Sequence, residues 1–210
     1  MELYKTIKQQ ATAEQIIERS RFIAHAMPAP DRETAETFIA EIKSRYKDAT
    51  HNVPAMVIGD KFQIQWASDD GEPQGTSGAP IVQMLVTEGL TNLVIVVTRY
   101  FGGIKLGTGG LVRAYTSSAK LALEAAGVCS VQNVLKLVCE IDYTYLARFQ
   151  KMAGQAGGPA FAIGDLEYGS KVGMEIITLA ENRQEIEGLI ANITSGSALI
   201  LSESEGPGVI

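Results

Sequence analysis

Apolar positions in the first 127 residues switch between the two-residue alternation of strands and the three- and four-residue spacing of helices. Ala35, Phe38, Ile39 and Ile42 recur at helical spacing behind Asp31, a residue type that favours the N-cap. The predicted elements are strands at 8–17 and 20–27, a helix from Asp31 to about Tyr46, a hairpin of strands 53–58 and 62–67 turning at Gly59-Asp60, a helix at 79–88, a strand at 93–98 and a helix at 107–126 with Gly127 as its C-cap.

The strand and helix pattern restarts after Gly127. Its order, β-α-β-β-α-β, is that of the ferredoxin-like or split βαβ arrangement. We therefore place a domain boundary near Gly127 and predict an α+β protein with domains at 1–127 and 128–210. The predicted elements are strands at 131–141, 160–167, 171–179 and 197–204, helices at about 143–154 and 182–194, and turns at Gly157-Gly158-Pro159 and around Gly169.

The charge of the chain is unevenly distributed. The net charge of −6 argues against a simple nucleic-acid binder. Residues 1–128 hold 13 Lys and Arg against 14 Asp and Glu, a net charge of −1, whereas residues 129–210 hold 5 against 10, a net charge of −5. A local basic patch in the first half is therefore compatible with the composition.

The chain shows no sign of a membrane or export role. No apolar run is long enough to span a bilayer, and residues 1–6 lack the basic and apolar regions of a signal peptide. Cys129 and Cys139 lie in an apolar segment, where buried free thiols are expected. We therefore expect a cytoplasmic protein. We also expect no cofactor, because no Cys/His cluster has zinc-ligand spacing.

The stretch from Thr98 to Tyr115 combines glycines, cations and the start of a helix. A helix amino end offers unpaired N–H groups and a partial positive charge to an anion such as phosphate. Tyr100, expected to be more exposed than Phe101, is a candidate for stacking on a base. The alternative is that the glycines serve only tight turns and close packing. The predicted anion site consists of Arg99, Tyr100, Lys105, Gly107, Thr108, Gly109, Gly110 and Arg113.

A second loop, 69–78, carries Asp69, Asp70 and Glu72. The three carboxylates are candidate ligands for Mg²⁺. Alternatively, the loop is only a solvated turn. In a third interpretation, the carboxylates pair with the cations of the glycine loop, so that the acidic loop covers the anion site in the free protein. Thr76 or Ser77 is expected to cap the following helix.

His51 precedes a predicted strand. It is either a structural histidine or a general base, since a histidine transfers protons near neutral pH. With Asp69, Asp70, Glu72 and Thr76, it forms the accessory set of site residues.

Several of these segments, in this order, resemble the IMPACT family in its bacterial YigZ form. The segments are 20–23 (SRFI), 49–52 (ATHN), 69–73 (DDGEP), 75–78 (GTSG) and 99–107 (RYFGGIKLG) with 113–115 (RAY). The match covers about residues 15–127, and residues 135–205 resemble the second domain of bacterial members. The resemblance implies a ribosomal protein S5 domain 2-like N-terminal domain and a C-terminal domain like the last domain of elongation factor G. It implies contact with the ribosome or RNA, and eukaryotic relatives regulate translation.

The leading functional hypothesis is therefore a non-enzymatic protein that binds RNA or the ribosome and modulates translation. One alternative is an enzyme acting on a phosphorylated small molecule, with Asp69, Asp70 and Glu72 holding Mg²⁺ and His51 as the base. The other is a protein-interaction module with a translation-linked partner.

Overall fold

The computed structural model describes residues 2–153 and 160–209, which form mixed α/β structure with antiparallel sheets. Contacts divide the chain into two compact units, Tyr4–Ser130 and Val131–Ile210 with Met1–Leu3. The elements are β1 (Glu2–Ile7), β2 (Ala11–Ile17), β3 (Ser20–Pro28), α1 (Arg32–Arg45), β4 (His51–Ile58), β5 (Ile64–Ala67), α2 (Gly78–Thr87), β6 (Leu93–Tyr100), α3 (Gly107–Ala126), β7 (Val128–Ile141), α4 (Tyr143–Met152), β8 (Phe161–Tyr168), β9 (Val172–Leu179), α5 (Arg183–Thr194) and β10 (Leu199–Gly208).

The N-terminal unit is a five-stranded sheet with helices on both faces. Its strand order is β2-β3-β6-β4-β5, and the neighbouring strands are antiparallel. Alternate residues of a strand point to opposite faces. Leu93, Ile95 and Val97 pack with α2 and α3, whereas Val94 and Val96 pack with α1. Because β6 is buried on both faces, its sequence from Leu93 to Val97 is continuously apolar.

The C-terminal unit holds the second sheet, in which β7 pairs with both β9 and β10, giving the order β10-β7-β9-β8. The strands β1 and β7 are also neighbours in this sheet. Side chains of β7 and β9 alternate between buried and partly exposed, and the buried set packs against α4 and α5. Phe149, Ile186 and Ile190 supply the helical side of this core.

Most predicted elements are present. Asp31 caps α1 by accepting a hydrogen bond from the Thr34 N–H at 2.8 Å, and Gly127 ends α3 with φ +74°. The β-α-β-β-α-β order after Gly127 is also confirmed. The predicted turn at residues 157–159 lies outside the described residues. Within those residues, no helix is both long and apolar enough to cross a membrane.

Some strand predictions differ from the structure. No strand was predicted over β1, where Ile7 alone is buried and the pattern is therefore weak. The predicted strand at 8–17 begins only at Ala11, because residues 8–10 are polar and exposed. The last strand continues to Gly208 rather than 204, since backbone pairing to β7 needs no apolar side chains.

Candidate anion-binding cavity

Sheet register brings the central residues of the site together. Arg99, near the end of β6, lies opposite Phe22 of β3 and opposite His51 of β4. Residues directly opposite each other in neighbouring strands present their side chains on the same face. His51, Arg99 and Phe22 therefore share the face of the sheet on which α3 packs.

Glu72 is the buried centre of a polar network. It is 8% exposed, and its Oε1 accepts from Arg99 Nη1 at 2.6 Å and from the Tyr115 hydroxyl at 2.7 Å. Arg99 is 4% exposed and also donates from Nη2 to Ser20 Oγ at 3.2 Å. Burial and then the bond to Glu72 raise the pKa of Tyr115 far above its usual range. The tyrosine therefore stays protonated and acts as a donor.

The guanidinium of Arg99 is also flanked by aromatic rings. Its central carbon lies 5.3 Å from the centroid of Phe22 and 5.5 Å from that of Phe101. These distances are in the range of cation–π contacts. Arg99 therefore holds Phe101 in place while being fixed itself by Glu72.

The other two acidic residues of the 69–78 loop have separate structural roles. Asp69 accepts from Ser77 Oγ at 2.7 Å and from the N–H groups of Gly75 and Gly78 at 2.7 and 2.9 Å, and thus closes the loop onto the start of α2. Burial alone raises the pKa of Asp69, but these hydrogen bonds outweigh it and lower the pKa below its usual value. The prediction that Thr76 or Ser77 caps the helix is confirmed in position only: Ser77 is the N-cap residue of α2, but its side chain makes no cap bond, and Thr76 donates to the Pro73 carbonyl.

Asp70 joins the loop to β4. Its carboxylate accepts from Lys43 Nζ and from the Asn52 N–H, each at 2.7 Å. Burial raises the pKa of Asp70, and these two partners more than offset the increase. Within residues 2–153 and 160–209, no three His, Cys, Asp or Glu side chains form a metal-ligand cluster. The carboxylates of the loop are thus committed to different protein groups.

His51 is held in one tautomer by the same loop. Its Nδ1 lies 2.8 Å from the main-chain carbonyl oxygen of Asp70. Because a carbonyl oxygen only accepts, Nδ1 carries the proton of the neutral ring and Nε2 is left as an acceptor. Nε2 lies 3.8 Å from Glu72 Oε1.

The glycines of the second loop have both structural and site-forming roles. A side chain at Gly102 would overlap the main chain at Arg19, so this residue allows β3 and the loop to approach closely. Gly107 has φ +67°, which favours glycine. The N-cap position of α3 is Leu106, which has no side-chain oxygen, so the first N–H groups of this 20-residue helix have no side-chain cap.

These elements enclose a cavity of about 430 Å³. The buried residues Glu72, Arg99 and Leu111 contribute to its lining, together with the exposed Phe101 and Lys105. The complete lining is Thr50, His51, Glu72, Pro73, Arg99, Phe101, Lys105, Leu106, Gly107, Thr108 and Leu111. The cavity therefore combines apolar surface with two cationic side chains, one carboxylate and the amino end of α3.

The structure brings some predicted residues to this cavity and not others. Arg99, Lys105, Gly107 and Thr108 line it, as do His51 and Glu72 of the accessory set. Gly109 and Gly110 lie in the first turn of α3, and the exposed Arg113 has its guanidinium near Gly109. Asp69, Asp70, Thr76 and Tyr100 are not among the lining residues.

The expectation that Tyr100 is the exposed aromatic was wrong. Phe101 is 47% exposed, whereas the Tyr100 side chain is only partly exposed and its hydroxyl donates to Asp48 at 3.1 Å. Phe101 follows the last residue of β6, where the strand alternation no longer determines which face a side chain occupies. The sequence analysis did not predict that Thr50, Pro73, Leu106 and Leu111 line the cavity. The only signal for these residues in the sequence is that they lie next to the predicted site motifs.

Comparisons with known proteins give the family. The family model described as the Impact N-terminal domain matches residues 18–123. IMPACT family member YvyE of Bacillus subtilis is 36% identical over 195 residues, covering 93% of this chain and 88% of the relative. IMPACT family member YigZ of Escherichia coli is 32% identical over 191 residues, covering 90% and 92%. A crystal structure of a hypothetical protein, 30% identical, covers 96% of this chain and 98% of its own with a TM-score of 0.59.

The chain therefore belongs to the IMPACT family, as its motifs predicted. The match to the family model spans the region that contains the acidic loop, the glycine loop and most of α3.

Proposed function

We propose that this protein is a non-enzymatic RNA-binding protein that acts at the ribosome and modulates translation. The single observation that carries the proposal is the exposed ring of Phe101, held 5.5 Å from the Arg99 guanidinium beside Lys105 and the uncapped amino end of α3. An aromatic ring next to cations is the arrangement that holds unpaired bases and their phosphates.

The cations divide into two roles in this proposal. Lys105 and Arg113 are exposed and are the phosphate contacts, together with the N–H groups at 107–110. Arg99 is buried and paired with Glu72, so it positions Phe101 rather than meeting the backbone of the RNA. The negative charge of residues 129–210 keeps the C-terminal unit off the RNA.

We further propose that the two units, with a boundary near Gly127, have the S5 domain 2-like and ferredoxin-like folds. The order β10-β7-β9-β8 with two helices supports the ferredoxin-like assignment. A five-stranded antiparallel sheet with α1 on one face and α2 and α3 on the other supports the assignment of the N-terminal unit.

Co-sedimentation with purified ribosomes across a salt series tests the function. The test variant is Lys105→Ala/Arg113→Ala, and the control is Lys47→Ala/Lys61→Ala, which removes the same charge from exposed positions outside the cavity lining. Each phosphate contact contributes about 0.7 to the slope of log affinity against log salt for single strands. We expect the test variant to lose up to about 1.4 from this slope and the control to keep it.

Two outcomes contradict the proposal. If both double variants lose affinity equally, the effect is one of net charge and the site is wrong. If pelleting is insensitive to salt and to RNase treatment of the ribosomes, a protein partner is bound instead, as in the interaction-module alternative.

A further inference from the structure

Arg99 has a buried hydrogen-bond donor that the protein leaves unused. Its Nη1 and Nη2 donate to Glu72 and Ser20, but its Nε–H has no acceptor among the described residues. Leaving a buried donor unpaired costs on the order of 1–3 kcal/mol, so such a group calls for an explanation. Arg99 lines the cavity, so this unpaired donor lies in the wall of a space that a ligand can enter.

The same cavity presents three further kinds of recognition. Lys105 and the N–H groups at the amino end of α3 attract an anion. Phe101, Leu106 and Leu111 offer apolar surface, with the exposed ring of Phe101 suited to a flat group. In the neutral ring, His51 Nε2 is an acceptor for a ligand hydroxyl or amine.

Size and depth restrict the ligand to one residue of a chain or to a small molecule. The volume of about 430 Å³ is within the range of about 300–1,000 Å³ for small-molecule sites. Glu72, Arg99 and Leu111 are at least nine-tenths buried, so the cavity reaches from the surface into the core of the unit. A pocket of this kind receives an end group more readily than the middle of a continuous strand.

We infer that the cavity binds a phosphomonoester joined to a flat, hydroxyl-bearing group, which is the chemistry of a nucleoside 5′-monophosphate. The phosphate lies at Lys105 and the start of α3, the base against Phe101, and a hydroxyl or amine reaches His51. This ligand has two sources, a free mononucleotide and the 5′-phosphorylated end of an RNA. The inference rests on the proposed function, because it assigns a ligand to the same cavity.

Calorimetric titration of the full-length protein with adenosine 5′-monophosphate tests the inference. Adenosine and inorganic phosphate serve as partial ligands, and Lys105→Met is compared with Lys61→Met, a change at an exposed lysine outside the cavity lining. We expect the nucleotide to bind more tightly than either partial ligand. Loss of one charge-assisted contact in Lys105→Met weakens binding about tenfold, and Lys61→Met leaves it unchanged.

A pair of single-stranded RNAs that differ only in a 5′-phosphate or a 5′-hydroxyl then separates the two sources. Tighter binding of the phosphorylated RNA supports the RNA end as the ligand. Equal binding of the two RNAs, with the nucleotide still bound, supports a free mononucleotide.

Failure of this inference is distinct from failure of the proposed function. If ribosomes or RNA bind with the expected salt slope but the nucleotide does not bind, the ligand assignment is overturned and the RNA-binding proposal stands. Nucleotide binding that is equally strong in Lys105→Met overturns the assignment of the cavity.

Discussion

The buried ion pair between Glu72 and Arg99 allows a quantitative prediction. Their charged atoms are 2.6 Å apart, and the side chains are only 4% and 5% exposed. Replacing one partner of such a pair leaves an uncompensated charge in the interior, which costs about 3–5 kcal/mol. Glu72→Gln retains an acceptor for the Tyr115 hydroxyl, so the change reports chiefly on the charge of Arg99.

An exposed ion pair in the same unit gives the matched control. Arg21 and Glu14 make two hydrogen bonds of 2.7 and 2.8 Å, but their side chains are 51% and 42% exposed. Solvent screening makes such an exposed pair contribute far less to stability than a buried one. Urea unfolding should therefore show that Glu72→Gln, with an expected loss of about 3–5 kcal/mol, is much less stable than Glu14→Gln.

A double-mutant cycle separates the pair from its surroundings. The variant Glu72→Gln/Arg99→Met should recover about 1–3 kcal/mol relative to the sum of the single changes, because neither side chain is then charged. Equal stability of Glu72→Gln and Glu14→Gln, or full additivity in the cycle, would refute the view that Glu72 neutralises a buried Arg99.

Two further predictions concern stability. Burial, with a smaller contribution from Arg45, lowers the pKa of His25 from 6.5 to about 4. As the pH falls, His25 is therefore protonated in the unfolded chain before it is protonated in the folded protein. The free energy of unfolding should decrease by about 3 kcal/mol between about pH 6.5 and pH 4. His25→Gln should remove this slope in unfolding curves measured against pH, and a slope that persists in His25→Gln would contradict His25 as its source. Asp69→Ala removes the acceptor that closes the loop onto α2 and should lower the free energy of unfolding by about 1–2 kcal/mol in urea denaturation, and an unchanged midpoint would contradict this role.

Local signals in the sequence predicted much of the fold. The spacing of Ala35, Phe38, Ile39 and Ile42 marks the buried face of α1, and all four are buried. Asp31 and Gly127 mark the two helix ends because capping depends on neighbouring residues only.

The site depends on contacts that no local pattern contains. Glu72 forms hydrogen bonds with Arg99 and Tyr115, which lie 27 and 43 positions further along the chain. These contacts depend on the register of β3, β4 and β6. The acidic loop was assigned three alternative roles. Among the described residues, its pairing with a cation of the glycine loop is seen only between Glu72 and Arg99. Tyr100 rather than Phe101 was predicted to be the exposed aromatic, because the sequence does not show at which residue β6 ends and the strand alternation of side chains stops.

The most direct test of RNA binding is the affinity of the protein for a fluorescently labelled single-stranded RNA, measured by anisotropy at fixed salt. Phe101→Leu removes the exposed ring of the cavity, and Trp66→Leu removes another exposed aromatic of the same unit outside the cavity lining. Stacking contributes about 1–3 kcal/mol per base, so Phe101→Leu should weaken binding about 5-fold to 150-fold while Trp66→Leu leaves it unchanged. Equal affinities of wild type, Phe101→Leu and Trp66→Leu, or no binding by the wild type, would contradict the account.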